Sequence, residues 1–431
     1  MTTNSLIQLP LEVLANIVIH LELNDIRNLM LTCKTFHGLI VNENIFMRLI
    51  FRNKLVLQNR GRQHNSYSWY NRCRISHNWQ KGIYRNKVLV QHNTNYMPWL
   101  QFLHSDTLYL SVGSELKCYS LTRKGLIPCN FLWSITVPTV RRNDIRTNDI
   151  SRFVVRDGVI VCGNRDGNVS VYEWNNDRQR PNLISHIKNC HENGSIEVSA
   201  VERICNTVVT ISQNSPHICY WNYDDYRSHT TNKTHTTLSS PDSMKTIEIS
   251  HAKGCRCVAL NNSQDKLAIG LNGNSKPIIV DVNMSTPLIY SEETVCSQHL
   301  TRDIQWHDDN SVISVSHSGK LQMIDVRSND LAYDATDPFL SSLFCVKTDG
   351  NHAVVVGSAE YSRCVLFDLR STHHVQMFFT QKKASCVYSL DFDSTRLIAA
   401  ADRGVAALNF NVNHLTTQVR DYSQTFEVIR G

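Results

Sequence analysis

No run in this 431-residue sequence is apolar for long enough to cross a bilayer. The nearest approach is "LPLEVLANIVIHL", Leu9 to Leu21; the polar residues Glu12, Asn16 and His20 interrupt it, and Glu22 ends it. Nothing basic precedes Leu9, so the stretch also lacks the n-region of a secretory signal. The 14 cysteines form no CxxC pair, and the tightest pair is Cys255 and Cys257. Such scattered usage predicts free, packed thiols in a reducing compartment, and hence a cytoplasmic or nuclear protein with no membrane partner. His186, Cys190 and His191 lie close together, but no second ligand pair stands at finger-like spacing, so no metal is expected. A Gly-rich phosphate loop, a nucleophile elbow and a zinc-protease helix motif are all absent. Asp308 and Asp309 are adjacent, and neighbours on a strand point to opposite faces, so they make no acid–base pair. Neither a catalytic residue nor a cofactor is expected.

Acidic residues are missing from one stretch in particular. None occurs between Glu43 and Asp106, where Arg48, Arg52, Lys54, Arg60, Arg62, Arg72, Arg74, Lys81, Arg85 and Lys87 supply ten positive charges. The whole chain carries only +6, so the remainder is net acidic and the basic character belongs to this region. Such a stretch steers an acidic partner by long-range attraction. Tyr67, Trp69, Tyr70, Trp79 and Tyr84 interleave with the cations, which also allows a stacking surface for nucleic acid. The plainer alternative, a solvated linker complementing acidic neighbours, is preferred.

What is present divides the chain into two patterns. Near the start, Leu11, Leu14, Val18 and Leu21 recur at helical spacing, with Ile17 widening the stripe and Pro10 at the first turn. Asn24 and Asp25 offer caps for a second helix carrying Ile26, Leu29, Met30 and Cys33. A third apolar set follows: Phe36, Leu39, Ile40, Ile45, Phe46 and Leu49. From about residue 97 short strand-like runs recur between Gly, Asn, Asp and Ser, as in "FVVRDGVIVCGNRDGNVSVYEW" and "IQWHDDNSVISVSHSGKLQMIDVR". Seven runs end in an aromatic or aliphatic residue followed by a polar one: Tyr119-Ser120, Tyr172-Glu173, Trp221-Asn222, Val280-Asp281, Ile324-Asp325, Phe367-Asp368 and Leu408-Asn409. Their period is near the ~40–45 residues of a four-stranded propeller blade, so seven blades are expected rather than a β-sandwich. The expected organisation is an all-α helical module over residues 5–50, a basic linker over 51–96 and an all-β propeller over 97–415. The Ser- and Thr-rich segment 224–243 reads as a surface loop.

The strand endings resemble degenerate copies of the Trp-Asp ending of WD repeats. "CHENGSIEVSAV" is similar to the Gly-His region that opens such a repeat, with His191 in the histidine place and Cys190 where glycine is usual. Asp166 in "NRDGNV" stands in the place of the turn aspartate that braces a blade in that family. The N-terminal segment resembles an F-box at Leu9, Pro10, Glu12, Leu14, Ile17, Leu21, Leu23, Asp25, Leu29, Cys33, Lys34 and Phe36, with Phe46 where tryptophan is usual. Asn78, Trp79 and Gly82 in "WYNRCRISHNWQKGIY" are similar to the segment after the F-box in F-box/WD proteins, and "MPWLQF" followed by "LYLS", with "LFCVKTDGNHAVVVGSAEYSRCVLFDLR", look most like the dactylin type.

The resemblance implies a non-catalytic, substrate-recognition subunit of a Skp-cullin-F-box ubiquitin ligase. In that family the F-box holds a Skp-type adaptor, which bridges to a cullin and RING subunit. The propeller holds the protein to be ubiquitylated for proteasomal degradation. Carried over, the adaptor-binding residues are Leu9, Pro10, Leu14, Ile17, Leu21, Leu29, Cys33 and Phe36; the substrate-binding residues stay unassigned. Physical reasoning points the same way, because a module of about fifty residues buries too little surface alone. A standard interface of ~1,600 Å² would cover its apolar excess. Two alternatives stand beside this reading: a non-degradative scaffold, and a nucleic-acid-binding propeller protein. "IDVR" and "FDLR" also resemble endings used by propellers that dock on the damage-binding-type cullin adaptor, although bracing of a blade edge is the favoured role for Arg327 and Arg370.

Overall fold

The computed structural model describes residues 6–413, apart from residues 19, 43–54, 56–66, 104–105, 123–128, 141–147, 176–178, 193–195, 224–243, 250–251, 275, 283–285, 290–299 and 382–383. The expected loop at 224–243 and the apolar residues Ile45, Phe46 and Leu49 therefore lie outside the described residues. Among those described, no helix is long and apolar enough to cross a membrane.

A single 3-10 turn (Leu6–Gln8) precedes α1 (Leu11–Val18), α2 (Leu23–Thr32) and α3 (Lys34–Asn42). The cap of α2 is Glu22 rather than Asn24, and the Asp25 carboxylate accepts the Glu22 N–H at 3.3 Å, as in a capping box. Leu14, Val18, Leu23, Ile26, Phe36 and Ile40 form the core of this bundle.

Among the described residues twenty-eight strands follow. β1 (Arg85–Gln91) stands apart from the blade that follows it, which is β2 (Leu100–Leu103), β3 (Thr107–Val112), β4 (Glu115–Leu121) and β5 (Cys129–Thr136). The second blade is β6 (Ile150–Arg156), β7 (Val159–Asn164), β8 (Val169–Glu173) and β9 (Asn182–Ile187). The third is β10 (Ala200–Ile204), β11 (Thr207–Ser212), β12 (Ser215–Asn222) and β13 (Lys245–Glu248). The fourth is β14 (Cys255–Leu260), β15 (Lys266–Leu271), β16 (Ile278–Asp281) and β17 (Thr286–Ile289). The fifth is β18 (Thr301–Trp306), β19 (Ser311–Ser316), β20 (Lys320–Asp325) and β21 (Asp330–Thr336). The sixth is β22 (Leu343–Thr348), β23 (Ala353–Ser358), β24 (Arg363–Asp368) and β25 (His374–Phe379). The seventh joins β26 (Val387–Phe392), β27 (Arg396–Ala401) and β28 (Gly404–Asn409) to β1.

The result is a short helical region followed by a seven-bladed antiparallel propeller. Each of the seven strand-ending pairs lies in the third strand of its blade, six at its end and Tyr119-Ser120 one residue before it. Second strands such as β3, β7 and β23 are buried along their whole length, because neighbouring blades cover both faces; the outermost β21 alternates between solvent and core. Close blade packing is why β7 contains a glycine: a Cβ at Gly163 would sit 2.5 Å from Val201 Cγ1 of the next blade.

Adjacent blades are stapled by side chains. Ser389 Oγ and Asp391 Oδ2 accept the Leu100 and Phe102 N–H groups at 2.7 and 3.0 Å. Asp303 Oδ2 and Gln305 Oε1 accept those of Val346 and Thr348, both at 3.0 Å.

The stretch read as a linker ends differently from its expected boundary at residue 96. β1 pairs antiparallel with β28, Arg85 opposite Asn409 and Gln91 opposite Gly404, so it is the outer strand of the last blade. The N-terminal side thus closes the ring, which removes the free edges of an open sheet. Before β1, α4 (Trp69–Lys81) is capped by Ser68 and stopped by Gly82, whose φ of 67° is the left-handed conformation that glycine tolerates. Trp79 is fully buried in the core of the last two blades, stacked on Phe410 at 3.6 Å and edge-on to Phe378 and Phe392. Its indole N–H donates to the Ser394 carbonyl at 2.9 Å. Asn78 donates to the Phe410 and Val412 carbonyls at 2.7 and 2.9 Å. From the opposite side of α4, Cys73 and Tyr70 complete the helical core with Leu14, Val18 and Phe36. α4 belongs to both cores, so the helical module is braced against the propeller rather than tethered by a solvated chain.

The blade-bracing residues also depart from the WD pattern. His191 bonds Thr210 Oγ1 at 3.1 Å and lies 3.6 Å from Cys219 Sγ, because its blade has no aspartate in the turn between β11 and β12. Asp166 holds its own turn through both nitrogens of Asn168 at 3.0 Å, and reaches the Val140 N–H at 2.9 Å. In the sixth blade a buried ion pair does the bracing: Arg363 Nη2 donates to Asp337 Oδ2 at 2.6 Å.

Candidate functional site

The outer surface of the helical region carries the first candidate. On α1 the residues Val13 and Ile17 lie four apart and face away from Leu14 and Val18, which point into the core. Leu6, Ile7, Leu9, Pro10 and Leu11 extend this stripe, all exposed. Of the expected adaptor residues, Leu9, Pro10 and Ile17 are therefore on the surface, with Ile17 39% exposed. Leu14 and Phe36 are not: at 4% and 7% exposed they are core residues, because the second face of α1 and the start of α3 close on Cys73 of α4. Leu21, Leu29 and Cys33 are half-buried around that core. Cys33 Sγ accepts the Phe36 N–H at 3.5 Å, which caps α3 and holds the thiol below its usual pKa. Leu6, Ile7 and Val13 were not singled out by pattern; for Val13 the signal is that "LEVLANIV" is apolar on more than one helical face.

Among the described residues, part of the aromatic–cation surface considered for nucleic acid is taken up by the fold; Arg48, Arg52, Lys54, Arg60 and Arg62 lie outside those residues. Trp79 and Tyr84 are buried in the last blades. Arg74 is engaged by the Val412 carbonyl and the Asn411 side chain, both at 2.6 Å. Arg327 and Arg370 each grip the aspartate two residues earlier, at 2.7 and 2.6 Å, as blade-edge braces. Among the described residues no three His, Cys, Asp or Glu side chains gather to hold a metal ion; His186 bonds Ser170 Oγ at 2.9 Å.

The second candidate is the mouth of the propeller channel, a bowl of about 140 Å³. Five first strands carry a register shift at the same place, around Ser151, Arg256, Arg302, Phe344 and Tyr388. A bulge turns its residue out of the alternating pattern. All five of these residues line the bowl, joined by Trp99, Arg152, Arg165 and Glu197. The repeated bulge thus gathers side chains from the second, fourth, fifth, sixth and seventh blades around one mouth.

Its electrostatics are uneven. Arg152 stacks over Trp99 at 4.1 Å and crosses the channel to pair with Asp303 at 2.9 Å. That strut floors the bowl. Arg165 has Glu197 at 4.0 Å. Among the described residues Arg256 and Arg302 meet only neutral acceptors: Gln213 Oε1 at 3.0 Å and His317 Nδ1 at 2.9 Å. Neither lies within ion-pair distance of a carboxylate among the described residues. Burial, with Arg302 close by, pulls the Arg256 guanidinium down to about 10, and burial lowers Arg302 as well. Burial and both arginines lower His317, so its neutral imidazole accepts. Arg302 also lies 4.8 Å over the Phe344 ring, which meets Tyr388 edge-on. Two desolvated cations beside an aromatic wall are a site for an anionic group. No sequence motif marked these arginines; the usable signal is their shared position, second in their first strands.

Residues 6–52 match the F-box-like family model. Over 355 residues the chain is 22% identical to F-box/WD repeat-containing protein 4 of Mus musculus, covering 79% of this chain and 77% of that protein. The human protein of the same name is 21% identical over 360 residues, covering 79% and 76%. Among solved structures, the crystal structure of the computationally designed Ika8 protein is similar, with a TM-score of 0.50, 14% identity, 75% of this chain covered and 99% of that chain. That likeness concerns the fold alone. The F-box-like match and the joined propeller together make the chain similar, distantly, to F-box/WD-repeat proteins.

Proposed function

We propose that this chain is the substrate-recognition subunit of a Skp-cullin-F-box type ubiquitin ligase, working in the cytoplasm or nucleus. The observation that carries the reading is the exposed stripe from Leu6 to Ile17, on a module already braced by its own propeller through α4. An exposed apolar stripe of this kind suits another protein, and the F-box-like match supports reading a Skp-type adaptor as its occupant. The adaptor would bring the cullin and RING subunit. Leu9, Pro10 and Ile17 would touch it, while Leu14 and Phe36 would shape the surface from beneath.

The propeller mouth would hold an acidic or phosphorylated segment of the protein to be ubiquitylated, between Arg256 and Arg302. The chain would supply proximity: a target held at one end of a rigid span meets ubiquitin at a raised effective concentration. Rigidity matters to this reading, and Trp79 and Asn78 provide it.

Co-purification tests both ends. Leu9→Ala with Pro10→Ala, and separately Ile17→Asp, should abolish capture of the adaptor while thermal melting of the propeller is unchanged. Retained capture would sink the docking reading. Reconstitution with adaptor, cullin and RING subunit should ubiquitylate proteins trapped under proteasome inhibition. A trapped protein that is never modified would favour a scaffold instead.

A further inference from the structure

We infer that the rim of the sixth blade is a docking shelf for an apolar side chain of the same partner segment whose anionic group enters the mouth. The inference rests on reading the mouth as the partner's site. Phe339 and Leu340 are 62% and 73% exposed, and Tyr361, on the loop beside them, is 46% exposed. Single exposed apolar residues are ordinary, but these three sit on two adjoining loops whose backbone is held against its preference. Leu340, Tyr361 and Ser362 have φ of 56°, 59° and 52°, in the left-handed region that disfavours side chains such as Leu and Tyr.

The strain has a visible support. Asp337 accepts the Phe339 and Ser341 N–H groups at 3.0 Å each, and the buried Arg363 donates to both its oxygens. The Arg363 guanidinium also lies 4.6 Å over the Phe339 ring. A buried ion pair thus fixes a loop that presents Phe339 and Leu340 to solvent. Polar residues would suit those positions at no loss to the Asp337 bonds, which use only backbone N–H groups.

The shelf is continuous with the mouth. Ser342 bonds His317, through its carbonyl at 2.6 Å and Nδ1 at 3.0 Å, and His317 accepts from Arg302. Phe344 follows two residues later in the bowl wall. On the other loop the Ser362 N–H donates to the Ser385 carbonyl at 2.7 Å, three residues before Tyr388. No more than about 13 Å of chain separates Leu340 from Phe344. An extended peptide with its acid between Arg256 and Arg302 therefore reaches Leu340 within roughly three to five residues. The occupant is a peptide segment of a partner protein with an acidic group and, at that offset, an aliphatic or aromatic side chain.

A displayed library of random 12-residue peptides, selected against the full chain, tests this. The expected outcome is enrichment of an acidic residue with an apolar one at a fixed offset. The variant F339S/L340G, in which glycine suits the left-handed backbone, should melt like wild type and lose only the apolar preference. Peptides made from the wild-type selection should bind it roughly ten-fold more weakly. R256Q/R302Q should lose the acidic preference. An apolar preference missing from wild type, or kept by F339S/L340G, overturns the shelf. An apolar preference that needs Leu340 but comes with no acidic one overturns the mouth reading and, with it, the two-point segment proposed here. Phosphoserine in place of the selected acid reports which anion binds tighter; either anion agrees with the inference.

Discussion

Trp79→Ala should separate the two halves of this molecule. Trp79 is 0% exposed and touches three aromatic rings, with a stacked contact on Phe410 and edge contacts on Phe378 and Phe392. Truncating a buried Trp costs about 3–5 kcal/mol. The ring contacts place this site in the upper part of that range, since each aromatic pair adds roughly 0.5–1.5 kcal/mol beyond area. Trp79→Phe keeps a ring against Phe410 and loses the donor to the Ser394 carbonyl, a change of about 1–2 kcal/mol. The expected order is wild type, then Phe, then Ala. By circular dichroism, melting of the full chain should fall by roughly 5–10 °C for Trp79→Ala. Trypsin adds a local readout, because α4 holds Arg72, Arg74 and Lys81. Those bonds should resist cleavage in wild type and open in Trp79→Ala. Because Cys73 and Tyr70 on the same helix wall the other core, adaptor capture should weaken as well. A Trp79→Ala protein that melts within about a degree of wild type and keeps α4 uncut would refute a docked helix.

Three further outcomes follow from the geometry. Leu14→Ala should destabilise the helical module by about 2–4 kcal/mol, whereas Ile17→Ser should leave its helical signal intact and remove adaptor binding alone, since only Ile17 is exposed. Asp337→Ala should cost about 3–5 kcal/mol by stranding the buried Arg363 charge; Asp337→Ala with Arg363→Met should recover much of it, as denaturant titration would show. Burial, aided by nearby His217, holds His191 at about 4, below its ordinary value near 6.5. The unfolded chain then binds the extra proton first, so the stability that neutral His191 contributes is present above pH 6.5 and is lost as pH falls towards 4. The change is of order 1–3 kcal/mol, and His191→Gln should flatten the stability profile in that window.

The blades were legible because each repeats a local pattern. A strand that ends in a pair such as Phe367-Asp368 needs only its own turn and neighbours to be recognised, and all seven pairs took third-strand places. The first three helices were legible for the same reason: period and caps act over a few residues. Burial within them was not. Leu14 and Ile17 both fit an apolar helical stripe, and it is α4, about fifty residues on, that chooses which one is covered.

Residue order alone determined the helical start, the number of blades and the basic stretch, since these depend on local spacing and on charge that can be read along the chain. Tertiary structure decided that β1 closes the ring beside β28, that Trp79 is core rather than a stacking platform, and that Arg256 and Arg302 meet across a blade boundary. Each of these joins residues far apart in sequence, through backbone pairing or close packing that no single segment encodes.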